Sequence, residues 1–155
     1  MSQEEVFRKT LKKIEEIVSS SISLDEKLKN ICEVLKENIS YYDWVGFYFV
    51  NKNRSNELVL GPFVGEPTEH VKIPFGRGVC GRAAEVKKTI IVQDVSKESN
   101  YLACSPKVRS EIVVPIIKDG KILGELDIDS HILAPFTEKD KEFLEKITRM
   151  VANLL

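Results

Sequence analysis

The chain has 155 residues, of which 43% are hydrophobic, and this is enough for one domain (residues 1–155) with a single sizeable core. Its 23 basic and 24 acidic residues nearly cancel, so we expect no contact with nucleic acid or with an anionic membrane. No stretch has the length and apolarity of a membrane span. A small molecule or a protein is therefore the expected partner.

The cysteine content and the first residues bear on the redox compartment. The N-terminal segment begins with acidic residues and has the pattern of an amphipathic helix, which differs from the cationic start and apolar run of a signal peptide and predicts a cytoplasmic protein. The chain has three cysteines, and structural disulfides are rare in the cytosol. Any disulfide is expected to be transient and catalytic.

Two amphipathic helices are predicted first. Apolar residues recur at helical spacing over residues 3 to 18 and again after Ser23, which is followed by Glu26 in the pattern of a capping box. Cys32 lies on the apolar stripe of the second helix, so we interpret it as a core residue.

The hydrophobic period changes from helical to alternating over Asp43 to Val50, which predicts a buried strand. Trp44, Gly46 and Tyr48 share one face of this strand. Gly46 is expected to leave a recess between two aromatic rings, and the alternative is that these residues are ordinary core. A polar turn and a second strand over Glu57 to Val64 complete a predicted hairpin.

The middle of the chain is the least regular. A loop leads from residue 65 to 74, a Gly-x-Gly turn places Cys80 near the start of a short helix that runs to Lys87, and residues 89 to 92 form a short strand. A long polar loop over residues 94 to 108 then holds Cys104. Loops of this length inside a compact domain are usually functional.

The last third predicts a hairpin and a helix. Strands over Glu111 to Ile117 and Lys121 to Asp129 flank a turn at residues 118 to 120, and Thr137 caps a C-terminal amphipathic helix. Strands clustered between terminal helices indicate an α+β domain.

Two of the cysteines are candidates for thiol chemistry. Cys80 lies at a helix N-terminus, where free amide groups and the helix dipole favour a thiolate, although a small buried hydrophobic residue would fit the same position. Cys104 lies mid-loop with Lys107 and Arg109 nearby, which would lower the pKa of its thiol. A reversible Cys80–Cys104 bridge would contribute on the order of 3 kcal/mol in the chain-entropy model.

A group of acidic residues follows the cysteines. Asp127 and Asp129 point to one face of their strand, where like charges should raise one pKa; the alternative is a solvated strand end. In a hairpin closed at residues 119 and 120, Glu111 would lie near both aspartates, so three acids could converge. His70 and His131 are isolated and lack metal-ligand spacing with the cysteines, so no metal is predicted.

Five segments together resemble one protein family, the GAF-domain free methionine-R-sulfoxide reductases: DWVGFY (43–48), LVLGPF (58–63), IPFGRGVCG (73–81), SEIVVP (110–115) and LDIDS (126–130). The resemblance covers nearly the whole chain. It implies a GAF fold, with an antiparallel sheet, the N- and C-terminal helices on one face and pocket-forming loops on the other. It also implies that the substrate is the free amino acid. No cofactor is predicted.

The resemblance assigns roles to residues. Cys104 falls at the catalytic cysteine of the family and Cys80 at the cysteine of the GVCG turn. The substrate-binding acids and the pocket aromatics fall at Glu111, Asp127, Asp129, Trp44 and Tyr48. His70 stands where many members have a further, resolving cysteine, so Cys80 becomes the candidate for that role.

These assignments lead to a mechanistic hypothesis. The Cys104 thiolate attacks the sulfoxide sulfur, methionine leaves, and the resulting sulfenic acid condenses with Cys80 to a disulfide that a thioredoxin-like reductant resets. Glu111 supplies the proton, while Asp127 and Asp129 hold the substrate ammonium. The alternative is a non-catalytic GAF module that binds a small ligand and regulates another protein. The terminal helices could form a homodimer interface under either hypothesis.

Overall fold

The computed structural model describes residues 1–99, 101–102 and 105–155 of the chain. Four α-helices lie among these residues: α1 (Gln3–Ser19), α2 (Leu24–Asn38), α3 (Gly78–Val86) and α4 (Glu138–Ala152). The strands are β1 (Trp44–Asn51), β2 (Arg54–Val64), β3 (Lys72–Pro74), β4 (Ile90–Val92), β5 (Ser110–Lys118) and β6 (Lys121–Ser130). A short 3₁₀ turn, Val95–Lys97, begins the predicted long loop.

The strands form one antiparallel sheet in the order β3-β2-β1-β6-β5-β4. The first and last of these strands, β1 and β6, pair with each other at the centre of the sheet. Asp119 and Gly120 connect β5 to β6 with positive φ angles of 52° and 77°. Two such residues make a type I′ turn, whose twist matches that of the flanking strands, so the predicted hairpin is confirmed.

Three helices cover one face of the sheet. α1, α2 and α4 bury their apolar stripes against alternate residues of the strands, among them Phe47, Ile112 and Ile128. Cys32 is fully buried in this layer, as predicted. The α+β prediction and the position of the terminal helices on one face are confirmed.

Asp140 connects this helical layer to the start of the sheet. Its Oδ1 atom accepts hydrogen bonds from the hydroxyl groups of Tyr41 and Tyr42, each at 2.7 Å. Its Oδ2 atom accepts from the Thr137 backbone amide at 2.9 Å, which completes the capping box of α4. The buried Asp140 side chain thus fixes the residue at which α4 begins and holds this helix against the two tyrosines that precede β1.

The opposite face of the sheet carries α3 and the irregular segments. Its smaller apolar cluster includes Trp44 and Tyr48 from β1, Val113 from β5 and Cys80 from α3. The period-two pattern correctly predicted which residues of β1 share this face. No helix in the described part of the chain is long and apolar enough to cross a membrane.

Candidate active site

Three predicted acids converge on the face that α3 covers. Antiparallel pairing places Glu111 of β5 directly opposite Asp129 of β6, and Asp127 opposite Val113. Glu111 is 3% exposed, while Asp127 and Asp129 are each 1% exposed. The alternative of a solvated strand end is therefore wrong, because α3 and the loops bury these carboxyl groups.

A fourth acid, Glu125, belongs to the same row and was missed by the sequence analysis. It lies two residues before Asp127 on β6, opposite Tyr48 of β1, and its side chain is fully buried. Neither of its carboxyl oxygens makes a hydrogen bond of normal length to the described residues. The alternation Glu125-x-Asp127-x-Asp129 was the available signal, since all three residues share one strand face.

The crowding of these acids changes their protonation. Burial, followed by the charges of Asp127 and Asp129, raises the pKa of Glu111 well above its ordinary value. Burial and the neighbouring Asp127 raise the pKa of Glu125 in the same way. Burial also raises the pKa of Asp127. No ion pair among the described residues involves Glu111, Glu125 or Asp127, so protons or an incoming cation must balance the site.

Cys80 lies in the first turn of α3, as predicted, but its surroundings oppose a thiolate. Its side chain is buried, and the thiol donates a weak hydrogen bond to Glu111 Oε2 with an Sγ···O distance of 3.9 Å. Burial, followed by the charges of Asp127, Glu125 and Glu111, raises the pKa of the Cys80 thiol well above its ordinary value. The structure thus favours the alternative of a small buried residue over a stabilised thiolate, because the strands place several acids against the helix N-terminus.

The two predicted pocket aromatics hold the loop that connects β2 to β3. The indole of Trp44 donates from Nε1 to the Glu66 carbonyl at 2.9 Å, and the Tyr48 hydroxyl donates to the His70 carbonyl at 2.8 Å. Both hydrogen bonds satisfy the polar end of a buried aromatic residue. Each aromatic therefore fixes one point of residues 65–71 above the sheet.

The expected recess over Gly46 does not exist. A Cβ atom built on Gly46 would lie 2.4 Å from Cη2 of Trp44 and 2.8 Å from Cβ of Phe63. The Trp44 ring covers the glycine and stacks on Phe63 with a centroid distance of 5.5 Å. Gly46 thus makes room for the indole of its own strand, which alternation alone could not predict.

A small cavity of about 10 Å³ marks the meeting point of these elements. It is lined by residues of the strands, α3 and the loops: Tyr48, His70, Ile73, Arg77, Gly78, Val79, Cys80, Leu102, Glu111 and Asp127. The volume is about that needed for one water molecule, so a larger ligand requires displacement of the loop side of the cavity. His70 lines the site, although its isolated position in the sequence gave no indication of this.

Lys107 and His131, two residues considered in the sequence analysis, are described by the structure and do not line this cavity. Cys104, the predicted catalytic thiol, lies outside the described residues. Lys107, predicted to act on Cys104, forms an ion pair with Glu66 at 3.2 Å. His131 lies 3.7 Å from Asp43.

Comparison with known proteins supports the assignment of the fold. The GAF domain family matches residues 23–155. The chain belongs to this family. Among curated relatives, this GAF chain is 42% identical to GAF domain-containing protein A of Dictyostelium discoideum, with 98% of this chain and 94% of the relative covered.

Two further comparisons concern named reductases. The chain is 38% identical to free methionine-R-sulfoxide reductase of Saccharomyces cerevisiae, with 97% of this chain and 86% of the relative covered. It also superposes on the X-ray structure of free methionine-R-sulfoxide reductase from Neisseria meningitidis in complex with its substrate, with a TM-score of 0.91 and 41% identity. That match covers 99% of this chain and 90% of the other. The resemblance read from the five motifs is confirmed.

Proposed function

We propose that this protein is an enzyme that reduces free L-methionine-R-sulfoxide to methionine. The observation that carries the proposal is the convergence of Cys80, Glu111 and Asp127 on one buried cavity, in a chain similar over nearly its whole length to free methionine-R-sulfoxide reductases. A purely structural role does not account for this arrangement, because it is costly to bury Glu111 and Asp127 without an ion pair to any described residue.

The acids can bind the ammonium group of free methionine sulfoxide and donate a proton to its sulfoxide oxygen. A substrate ammonium would supply the positive charge that Asp127 lacks among the described residues, and it would do so with Asp129 on the same strand face. Burial raises the pKa of Glu111, which favours the protonated form of its carboxyl group, and Glu111 is the donor for the sulfoxide oxygen. The need for a free ammonium would restrict the substrate to the free amino acid.

The thiols complete the reaction. Cys104 attacks the sulfoxide sulfur and takes over its oxygen as a sulfenic acid, so that the substrate gains two electrons and leaves as methionine. The Cys80 thiol then attacks the sulfur of Cys104, a disulfide forms and water leaves. A dithiol reductant of the thioredoxin type restores both thiols. Because burial and the neighbouring acids raise the pKa of the Cys80 thiol, its attack requires loss of the thiol proton during this second step.

The test is reductant-coupled turnover with four substrates: the R and S epimers of free methionine sulfoxide, an N-acetylated R epimer and an oxidised peptide. We expect turnover of the free R epimer only, and none in Cys104→Ser. The matched control is Cys32→Ser, which alters a buried thiol in the helical layer and should retain activity. No turnover by the unaltered protein with a strong dithiol would overturn the proposal and favour a ligand-binding GAF module.

Cys80→Ser tests the role of the second thiol separately. This variant should release one methionine per chain and then stall, unless an added thiol reduces Cys104 directly. Sustained turnover with thioredoxin alone would show that Cys80 does not resolve the sulfenic acid.

A further inference from the structure

One sulfur and two carboxyl oxygens of the cavity lie at the spacing of metal ligands. Cys80 Sγ, one oxygen of Glu111 and one oxygen of Asp127 are all within 4.8 Å of one another, and Sγ is 3.9 Å from Glu111 Oε2. The three side chains are buried, and they come from α3, β5 and β6. The spacing of residues along the chain does not reveal such a group, because its members come from three separate elements.

The spacing can be compared with that of a zinc site. Around a tetrahedral Zn²⁺ with a Zn–S bond of about 2.3 Å and Zn–O bonds of about 2.0 Å, sulfur and oxygen ligands lie about 3.5 Å apart and two oxygens about 3.3 Å apart. The observed distance from Cys80 Sγ to Glu111 Oε2 is 3.9 Å, so these two atoms must approach by about 0.4 Å to reach the sulfur–oxygen spacing of about 3.5 Å. Rotation of flexible acidic side chains can provide such a shift.

A separate observation indicates that the site accepts a cation. Asp127 Oδ1 is buried, belongs to a residue that lines the cavity, and makes no hydrogen bond of normal length to the described residues. Both carboxyl oxygens of Glu125, two residues away on the same face, are also buried and without such a bond. Buried carboxyl oxygens that lack a donor are stabilised by a positive ion.

We propose that the cavity binds one divalent transition-metal ion of the Zn²⁺ class through Cys80, Glu111 and Asp127. Water or His70, which lines the same cavity, completes the coordination. One thiolate ligand favours Zn²⁺ or Co²⁺ over Mg²⁺ and Ca²⁺, which prefer sites made only of oxygen. The ion occupies the position proposed for the substrate ammonium, and it therefore inhibits by competition; this last step rests on the proposed function, whereas metal binding does not.

Cobalt titration tests the metal site directly. Reduced full-length protein, held in a phosphine reductant that does not bind metals strongly, is titrated with Co²⁺, and the near-ultraviolet absorption of a cobalt–thiolate bond is followed. We expect the band to saturate at one Co²⁺ per chain and to disappear when Zn²⁺ is added. A thousandfold excess of Mg²⁺ should leave it unchanged.

Variants identify the ligands. Cys80→Ser should abolish the band, and Asp127→Asn, which keeps the shape of the side chain, should weaken Co²⁺ binding at least tenfold. Cys32→Ser and Cys104→Ser should retain the band. Circular dichroism melting confirms that each variant is folded. Absence of the band in unaltered protein, its persistence in Cys80→Ser, its loss in either other cysteine variant, or full affinity in Asp127→Asn would overturn the ligand assignment.

Activity distinguishes this inference from the proposed function. If Co²⁺ binds as described but methionine sulfoxide is not reduced, the reductase proposal fails and the metal site stands. If methionine sulfoxide is reduced but no cobalt–thiolate band forms, the metal site fails alone. If both hold, Zn²⁺ should raise the KM for the sulfoxide and leave kcat unchanged, and a reduced kcat at constant KM would overturn competition at this site.

Discussion

Removing the hydroxyl group of Tyr48 should loosen the loop that closes the cavity. The hydroxyl donates to the His70 carbonyl at 2.8 Å, and both residues line the cavity. A neutral hydrogen bond of this kind contributes about 1 kcal/mol net. In Tyr48→Phe the ratio of open to closed loop should therefore rise about fivefold.

Hydrogen–deuterium exchange measures this opening. The Val71 amide bonds to the Glu69 carbonyl, and the Leu60 amide bonds to the Val71 carbonyl at 2.8 Å, so both amides report on the junction of the loop with β2. We expect exchange in residues 65–71 to become about fivefold faster in Tyr48→Phe. Because a ligand larger than one water molecule requires displacement of this loop side of the cavity, the KM for methionine sulfoxide should fall, by at most the same factor.

Tyr42→Phe is the matched control. It also removes a buried tyrosine hydroxyl, but this group bonds to Asp140 in the helical layer and has no contact with the loop bond of Tyr48. Its exchange in residues 65–71 should equal that of the unaltered protein. Equal exchange in Tyr48→Phe and unaltered protein, or equal acceleration in both variants, would refute the assignment of the loop contact.

Three further substitutions test other parts of the structure. Tyr42→Phe should lower the free energy of unfolding by about 1.5–3 kcal/mol, because it removes a hydrogen bond to the carboxylate of Asp140; urea denaturation would contradict this if the loss were below about 0.5 kcal/mol. Gly46→Ala should cost about 1–3 kcal/mol and shift the fluorescence of Trp44, the only tryptophan of the chain, whereas an unshifted spectrum at unchanged stability would argue against the close contact. Glu125→Gln should be more stable than the unaltered protein at pH 7 and equal to it near pH 4. The sign follows from the folded-state pKa of Glu125, which lies above the ordinary value of 4.5. As far as Glu125 is concerned, the unaltered protein is most stable below pH 4.5, where this residue is protonated in both the folded and the unfolded state. Its free energy of unfolding then falls as the pH rises from 4.5 towards the folded-state pKa. A stability difference that did not change with pH in thermal melts would contradict this reasoning.

Local patterns predicted the elements that carry the site. Alternation in β1 correctly separated Trp44 and Tyr48 from Phe47, and the Asp119-Gly120 pair predicted the turn that brings Glu111 opposite Asp129. These features depend on residues close in sequence, whose backbone preferences decide the outcome. The convergence of the acids followed once the hairpin was assigned.

The charge state of Cys80 could not be predicted in the same way. Its position at a helix N-terminus is a local property and favours a thiolate. Its surroundings are nonlocal, since the acids that raise its pKa come from β5 and β6. Burial among carboxyl groups opposes the thiolate that the helix dipole favours, and the effect of the dipole is at most about 2 kcal/mol.

Side-chain direction explains the other differences. The recess at Gly46 was inferred from the absence of a side chain, but the Trp44 ring turns over the glycine. The position of His70 depends on how residues 65–71 fold back to receive the Tyr48 hydroxyl. Neither follows from strand periodicity.

A single-turnover experiment tests the central claim most directly. Fully reduced protein is mixed with excess free L-methionine-R-sulfoxide in the absence of any recycling reductant, and methionine and remaining thiols are both counted. The account predicts one methionine per chain and the loss of two thiols, with neither in Cys104→Ser. Formation of no methionine by the unaltered protein, with all three thiols still present, would contradict it.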